Sequence, residues 1–237
     1  VKYGIVSDIH ANWHALEAVL GDMPEVEDVL CLGDVVGYGG LPGECLEEVR
    51  SRGWLTLVGN HDRACTQPDI LEWFNEDAGT VIRWTIDKLA KKQLYWLQNL
   101  PDESRIFGAL LVHASPRDHI YEYILDGLTA YANLKLLDDA ICFHGHSHVP
   151  GIFTLDQGSV KHSYEIKVHD LEGPCLVNPG SVGQPRDGNP DASYGIWDTE
   201  AHSFEFRRVA YDRMAAQKAI LDAGLPARFA ARLDMGR

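Results

Sequence analysis

The 237-residue chain is short of basic side chains: 21 lysines and arginines face 35 aspartates and glutamates, for a formal charge of −14. Such a surface repels phosphate backbones, so a large nonspecific nucleic-acid footprint is not expected. Small anionic substrates stay open, because a bound divalent cation can be the largest local charge in its site. The five cysteines, Cys31, Cys45, Cys65, Cys142 and Cys175, include no CxxC pair, and their odd number leaves one over in any disulfide scheme. Reduced thiols in packing roles are therefore expected, as in a cytoplasmic protein. No stretch is apolar over a membrane-spanning length, and no charged segment leads into a long apolar run at the start. The expectation is a soluble, cytoplasmic protein without a membrane partner. Internal repeats and low-complexity tracts are also lacking. With 45% hydrophobic and 24% charged residues, the composition is that of an ordinary globular protein, read as one domain over residues 1–237.

What is present is an α/β pattern. Tyr3, Ile5 and Val6 form a strand, and Trp13 to Leu20 follow at helical spacing; Val26 to Cys31, a Pro42-initiated helix to Arg50, and a strand over Trp54 to Val58 complete a βαβαβ unit. Ligands of such units collect beyond the carboxyl ends of the parallel strands. Residues 69–100 read as helical, with Trp73, Phe74, Trp84 and Trp96 on apolar faces. Strand signals then recur at 106–112, 140–143, 151–155, 175–178, 193–197 and 204–209. Helices are expected over 128–137 and 211–223, and 157–172 reads as a loose surface hairpin.

Polar residues follow one strand after another: Asp8-x-His10, Gly33-Asp34, Gly59-Asn60-His61-Asp62, His113 and Gly145-His146-Ser147-His148. The i, i+2 spacing of Asp8 with His10 and of His146 with His148 would point each pair to one side of an extended segment. Carboxylate oxygen, imidazole nitrogen and the Asn60 carbonyl suit Mn, Fe or Zn better than an all-oxygen Mg or Ca cage; Mn or Fe is the expectation adopted, with Zn, Ni or Mg also admissible. Asp8, His10, Asp34, Asn60, His113, His146 and His148 are too many ligands for one tetrahedral ion. Two divalent metal ions are the economical reading, and a carboxylate such as Asp34 could bridge them.

In order and spacing these elements resemble the signature of calcineurin-like metallophosphoesterases. SDIHANWHALEAVL, GDVVGYG, HASPRD and NPGSVGQPRDGNPDASY are similar to its small prokaryotic phosphodiesterase-like branch, over nearly the whole chain. The resemblance implies a four-layer α/β/β/α sandwich of two mixed sheets flanked by helices. It also implies Asp8, His10 and His148 on one metal, Asn60, His113 and His146 on the other, and Asp34 between them. A metal-bound hydroxide would hydrolyse a small phosphodiester or phosphomonoester, such as a nucleotide. His61 would act as the acid or transition-state stabiliser, and Asp62 would orient it.

Arg186 and Arg117 are candidates to clamp phosphate oxygens, and Asn12, Tyr38 and Asn178 to line the pocket. Gly37, Gly39, Gly40 and Gly180 read as turn residues. Among the remaining histidines, His144 stands out because it directly precedes the last motif. Two alternatives stay open: a serine/threonine protein phosphatase, and a noncatalytic interaction module on the same fold. The intact ligand set and His61 argue against the module, and homo-oligomerisation is compatible with the sequence.

Overall fold

The computed structural model describes residues 1–138 and 140–237. β1 (Lys2–Val6), α1 (Trp13–Asp22), β2 (Asp28–Cys31), α2 (Pro42–Ser51) and β3 (Leu55–Thr56) form the expected opening, with β1, β2 and β3 parallel. The Asn12 side-chain Oδ1 caps α1 by accepting from the Ala15 N–H, and Pro42 starts α2 where its missing N–H costs nothing. Next come α3 (Asn60–Thr66), a 3₁₀ turn (Pro68–Trp73), α4 (Glu76–Lys88), α5 (Lys91–Gln98), and the hairpin of β4 (Glu103–Ile106) and β5 (Ala109–Val112). The chain continues through α6 (Gly127–Leu134), β6 (Ile141–Phe143), β7 (Gly151–Asp156), β8 (Ser159–Ser163), β9 (Val168–Asp170) and β10 (Cys175–Asn178). It ends with β11 (Ala192–Asp198), β12 (Ser203–Val209), α7 (Arg213–Asp222) and α8 (Ala227–Met235).

Among the described residues the strands form two mixed sheets of six, in the orders β3-β2-β1-β11-β12-β9 and β4-β5-β6-β10-β7-β8. Strand alternation sorts side chains into layers. Ile5, Leu30, Leu111, Phe143, Val177 and Phe204 meet between the sheets. Their neighbours Val6, Val29 and Cys31 face the helices over the first sheet, while Leu110, Val112, Cys142 and Leu176 face α6 over the second. This is the four-layer α/β/β/α sandwich. It gathers the carboxyl ends of β1, β2, β3, β5 and β6 at one edge. All five cysteines are buried and unpaired, consistent with packing roles. Among the described residues no helix is long and apolar enough to cross a membrane.

Three elements differ from expectation. The helical stretch at 69–100 is broken twice: Phe74 is extended and Asn75 caps α4 through the Ala78 N–H, while the Ala90 N–H donates to the Gln93 side chain at the start of α5. The first break turns Trp73 outward, and it is 75% exposed rather than packed on an apolar face. Residues 157–172 are not one hairpin. β8 pairs with β7 whereas β9 pairs with β12, so the segment crosses between sheets, a long-range pairing that local pattern does not carry. Finally, α8 follows the helix expected to be last, and its Phe229 packs against Tyr38 with ring centroids 5.0 Å apart.

Candidate metal centre

The loops after the parallel strands carry the motif residues into one buried cluster. Asp8, His10, Asp34, Asn60, His113, His146 and His148 are all at most 8% exposed. The paired motif residues do not lie on extended backbone as expected. Asp8 and His10 have φ of 53° and 48°, His146 and His148 of 63° and 59°, and Asp34 of 53°. Five left-handed non-glycine residues in one cluster are strained, and surrounding hydrogen bonds hold them there. The N–H groups of Asp8 and His10 donate to the carbonyls of Gly33 and Asp34, and the Asp8 carbonyl accepts from the Ser181 hydroxyl and the Gly183 N–H. The left-handed turn after each strand, rather than strand alternation, aims both members of each pair inward.

Two motif glycines are required by close approach. A Cβ on Gly59 would lie 2.0 Å from Asp34 Oδ1, and one on Gly145 would lie 1.9 Å from the Ser7 hydroxyl oxygen and 2.6 Å from Asp8 Oδ2.

The imidazoles are oriented from behind. Nδ1 of His10, His113 and His148 lies 3.0, 2.9 and 2.6 Å from the carbonyls of Val36, Leu32 and Gln184. These partners assign the proton to Nδ1 and leave each Nε2 as a bare lone pair. His146 is reversed, its Nε2 donating to the Tyr121 carbonyl at 3.1 Å and leaving Nδ1 free. Burial holds the His10, His61, His146 and His148 rings below the ordinary histidine range, which favours the neutral, ligating form.

The bare atoms face one another. Nε2 of His10 and Nε2 of His148 are 3.0 Å apart, and Asp8 Oδ1 lies 3.2 Å from the latter. His113 Nε2 lies 3.2 Å from Asn60 Oδ1 and 3.5 Å from Asp34 Oδ2, which is itself 3.6 Å from His10 Nε2. Asp8 Oδ1 is buried and has no hydrogen-bond partner. Acceptors converging on acceptors repel unless a cation stands between them. The donor set therefore fits divalent cations, with hard carboxylate and amide oxygen alongside borderline imidazole nitrogen. Three groups of ligand atoms lie close enough to share an ion: Asp8, His10 and His148; His10, Asp34 and His61; and Asp34, His113 and His146. Asp34 belongs to two of them. Burial, Asp62 and Asp8 push its carboxyl well above the usual carboxylate range, another mark of negative charge awaiting a cation.

Residues 1–202 match the family described as the calcineurin-like phosphoesterase superfamily domain. The chain belongs to the calcineurin-like phosphoesterase superfamily. It is 37% identical to the uncharacterized protein MJ0912 of Methanocaldococcus jannaschii, over 98% of this chain and 97% of that protein. The crystal structure of a metallophosphoesterase from Sphaerobacter thermophilus superposes with a TM-score of 0.91 at 40% identity, covering 100% of this chain and 99% of the other. The hypothetical protein PH1004 of Pyrococcus horikoshii OT3 shares the fold, with a TM-score of 0.81 at 19% identity over 100% and 98% of the two chains.

The other expected site residues of this superfamily member divide into two groups. His61 stands at the start of α3, its ring 4.9 Å from that of His10 and 4.5 Å from that of Tyr38. Its Nδ1 is buried without a partner against Gly37, so Nε2 is the nitrogen left for the adjoining cavity. The Arg186 guanidinium lies over the Tyr38 ring at 5.7 Å, with Nε buried and unpartnered and one Nη donating to the Gln184 side chain. Tyr38 and Arg186 thus remain beside the centre.

Asp62, Asn12 and Arg117 do other work. Among the described residues no hydrogen bond joins the Asp62 carboxylate to the His61 ring. Its oxygens instead accept from the N–H groups of Gly59, Val35 and Val36 at 3.1, 3.3 and 3.1 Å, tying the Asp34 loop to the Asn60 loop. Asn12 is committed at both ends, capping α1 and donating to the Gly183 carbonyl at 2.9 Å. Arg117 is paired with Glu122, which also accepts from Ser115 and Asn133 at 2.6 and 2.8 Å. This network braces the loop that carries Tyr121 and Tyr123. Asn178 likewise braces a loop, donating to the Gly145 carbonyl and the Ser147 hydroxyl. His144 is buried, and burial lowers its pKa to about 4.

Sequence reasoning missed Gln184, Ser181, Tyr121 and Tyr123. Gln184 and Tyr121 act through backbone carbonyls, which side-chain motifs do not register, and Ser181 through a hydroxyl bonded to the Asp8 carbonyl. Tyr123 stacks on His146, with ring centroids 3.9 Å apart.

Proposed function

We propose that the chain hydrolyses a small phosphodiester or phosphomonoester with two divalent cations. Asp8, His10 and His148 would hold one, Asn60, His113 and His146 the other, with Asp34 shared between them. The observation that carries this reading is the set of bare imidazole nitrogens and carboxylate and amide oxygens pointing at one another. Bound cations would supply Lewis-acid neutralisation of phosphoryl charge and lower the pKa of water.

The chain's own residues supply the rest. Arg186, with an unpartnered Nε beside the centre, binds a nonbridging phosphate oxygen. Tyr38 supports that guanidinium from below. His61 Nε2 gives a proton, or a hydrogen bond, to the departing oxygen. The strained loops hold the ligands in place before substrate arrives. Mn or Fe is the favoured metal.

The test is hydrolysis of bis(p-nitrophenyl) phosphate, a diester, and p-nitrophenyl phosphate, a monoester, with Mn, coupled to metal analysis of protein purified without chelator. Close to two ions per chain are expected. His61→Ala should keep them and lower kcat by about 100- to 10,000-fold, whereas Asp34→Ala should lose metal and activity together. Absence of turnover with any divalent cation would overturn the reading in favour of a noncatalytic module.

A further inference from the structure

Beside the centre lies an open cavity of about 220 Å³, with Asn60, His61 and His146 at its base. Five further rings line it, Tyr38, Trp73, Phe74, Tyr121 and Tyr123. Phe74 sets its edge against His61 at 5.3 Å and 87°, and Tyr123 lies nearly parallel to His146. Trp73 meets Tyr121 edge to face at 6.1 Å and 72°, an arrangement that leaves indole surface open. Trp73 is 75% exposed and Tyr123 46% exposed. Packing of the chain explains neither exposure: the 3₁₀ turn and the Asn75 cap hold Trp73 out, and the Glu122 network holds the Tyr121–Tyr123 loop opposite it.

Exposed π-faces at the mouth of a phosphate-ester site recognise a planar ring, because base–aromatic stacking needs only a π-face on each partner. We infer that the substrate is a nucleoside phosphate whose base stacks on Trp73 and Tyr123; this rests on the phosphoesterase reading above. The layout favours a base over an aryl group bonded directly to phosphate. Half-buried Phe74 takes the ring contact with His61, while the exposed Trp73 makes its own with Tyr121, so a spacer such as ribose would link phosphate to ring. The chain's charge of −14 also disfavours an acidic phosphopeptide.

Binding of AMP, ribose 5-phosphate and phosphotyrosine to the Mn-loaded His61→Ala protein, in which turnover is suppressed, tests this by calorimetry. AMP is expected to bind at least about tenfold more tightly than ribose 5-phosphate. Trp73→Ala should shrink that ratio to under about twofold, acting on AMP alone, and Trp73→Phe should retain most of it. Equal affinities for AMP and ribose 5-phosphate would overturn the inference. So would a Trp73→Ala loss shared by both ligands, or phosphotyrosine binding more tightly than AMP. Failure of the hydrolytic reading is separately visible, as absence of turnover of both bis(p-nitrophenyl) phosphate and p-nitrophenyl phosphate by the wild type while the AMP preference persists.

Discussion

Asp62 is wholly buried and accepts three backbone N–H groups, from Gly59, Val35 and Val36. A hydrogen bond to a charged acceptor contributes about 1.5–3 kcal/mol, so the gross value of the three is roughly 4–9 kcal/mol. Part of that is offset, because burial outweighs the three donors and pushes the Asp62 carboxyl above the usual range. Asp62→Ala, which leaves three buried donors without partners, is therefore expected to cost about 3–5 kcal/mol. Asp62→Asn can place its carbonyl where Oδ2 now accepts from Gly59 and Val35, and it loses only the Val36 contact at Oδ1. Its cost should be about 1–3 kcal/mol. Urea unfolding of both variants, with the m-value checked for constancy, measures this, and kcat/KM is measured on the same preparations. With metal saturating, Asp62→Asn should keep kcat/KM within about tenfold of wild type, against the 100- to 10,000-fold expected for a lost proton donor. Wild-type stability combined with a rate as low as that of His61→Ala would refute the reasoning. It would make Asp62 a partner of the His61 ring after all.

Three further outcomes are expected. Gly145→Ala forces a methyl group against Ser7 and Asp8, and should destabilise the protein by about 2–3 kcal/mol and lower metal stoichiometry, seen by thermal melting and metal analysis. The Glu122 carboxyl is held at about 2 against an ordinary 4.5, where burial is outweighed by Arg117, Ser115 and Asn133. A depressed carboxylate pKa contributes stability that is present above about 4.5 and lost as pH falls toward 2. With Arg117 45% exposed, solvent screens the pair and the contribution is small, and Arg117→Ala should flatten the acid limb of stability against pH in that window. Finally, Mn at about 100 times its Kd should add about 2.7 kcal/mol per ion bound to chelator-treated protein, a Tm rise of about 5–10 °C for each. An unchanged Tm would argue that the facing acceptors are not a cation site.

The motif order told most of what the centre contains, because strand ends announce themselves as apolar runs broken by Asp, His, Asn and Gly. The βαβαβ opening was legible for the same reason: its periodicity and its Pro42 start are local. The helical stretch at 69–100 was misread at its breaks because the Asn75 cap and the Gln93 contact at Ala90 are single-residue signals inside a continuous apolar pattern. The 157–172 crossover was unreadable, since its two strands pair in different sheets.

By itself, then, the sequence determined which side chains make up the candidate centre and their order along the chain. Tertiary structure decided who faces whom. It turned Asp8, His10, His146 and His148 inward by left-handed backbone, and assigned Asp62 to backbone donors rather than to His61. It also tied Arg117 to Glu122 and stood Trp73 at the cavity mouth. The physical reason is one of range. Residue type and periodicity are local, whereas a hydrogen-bond partner, a close approach or an exposed ring depends on segments far apart in sequence that meet only when the layers pack.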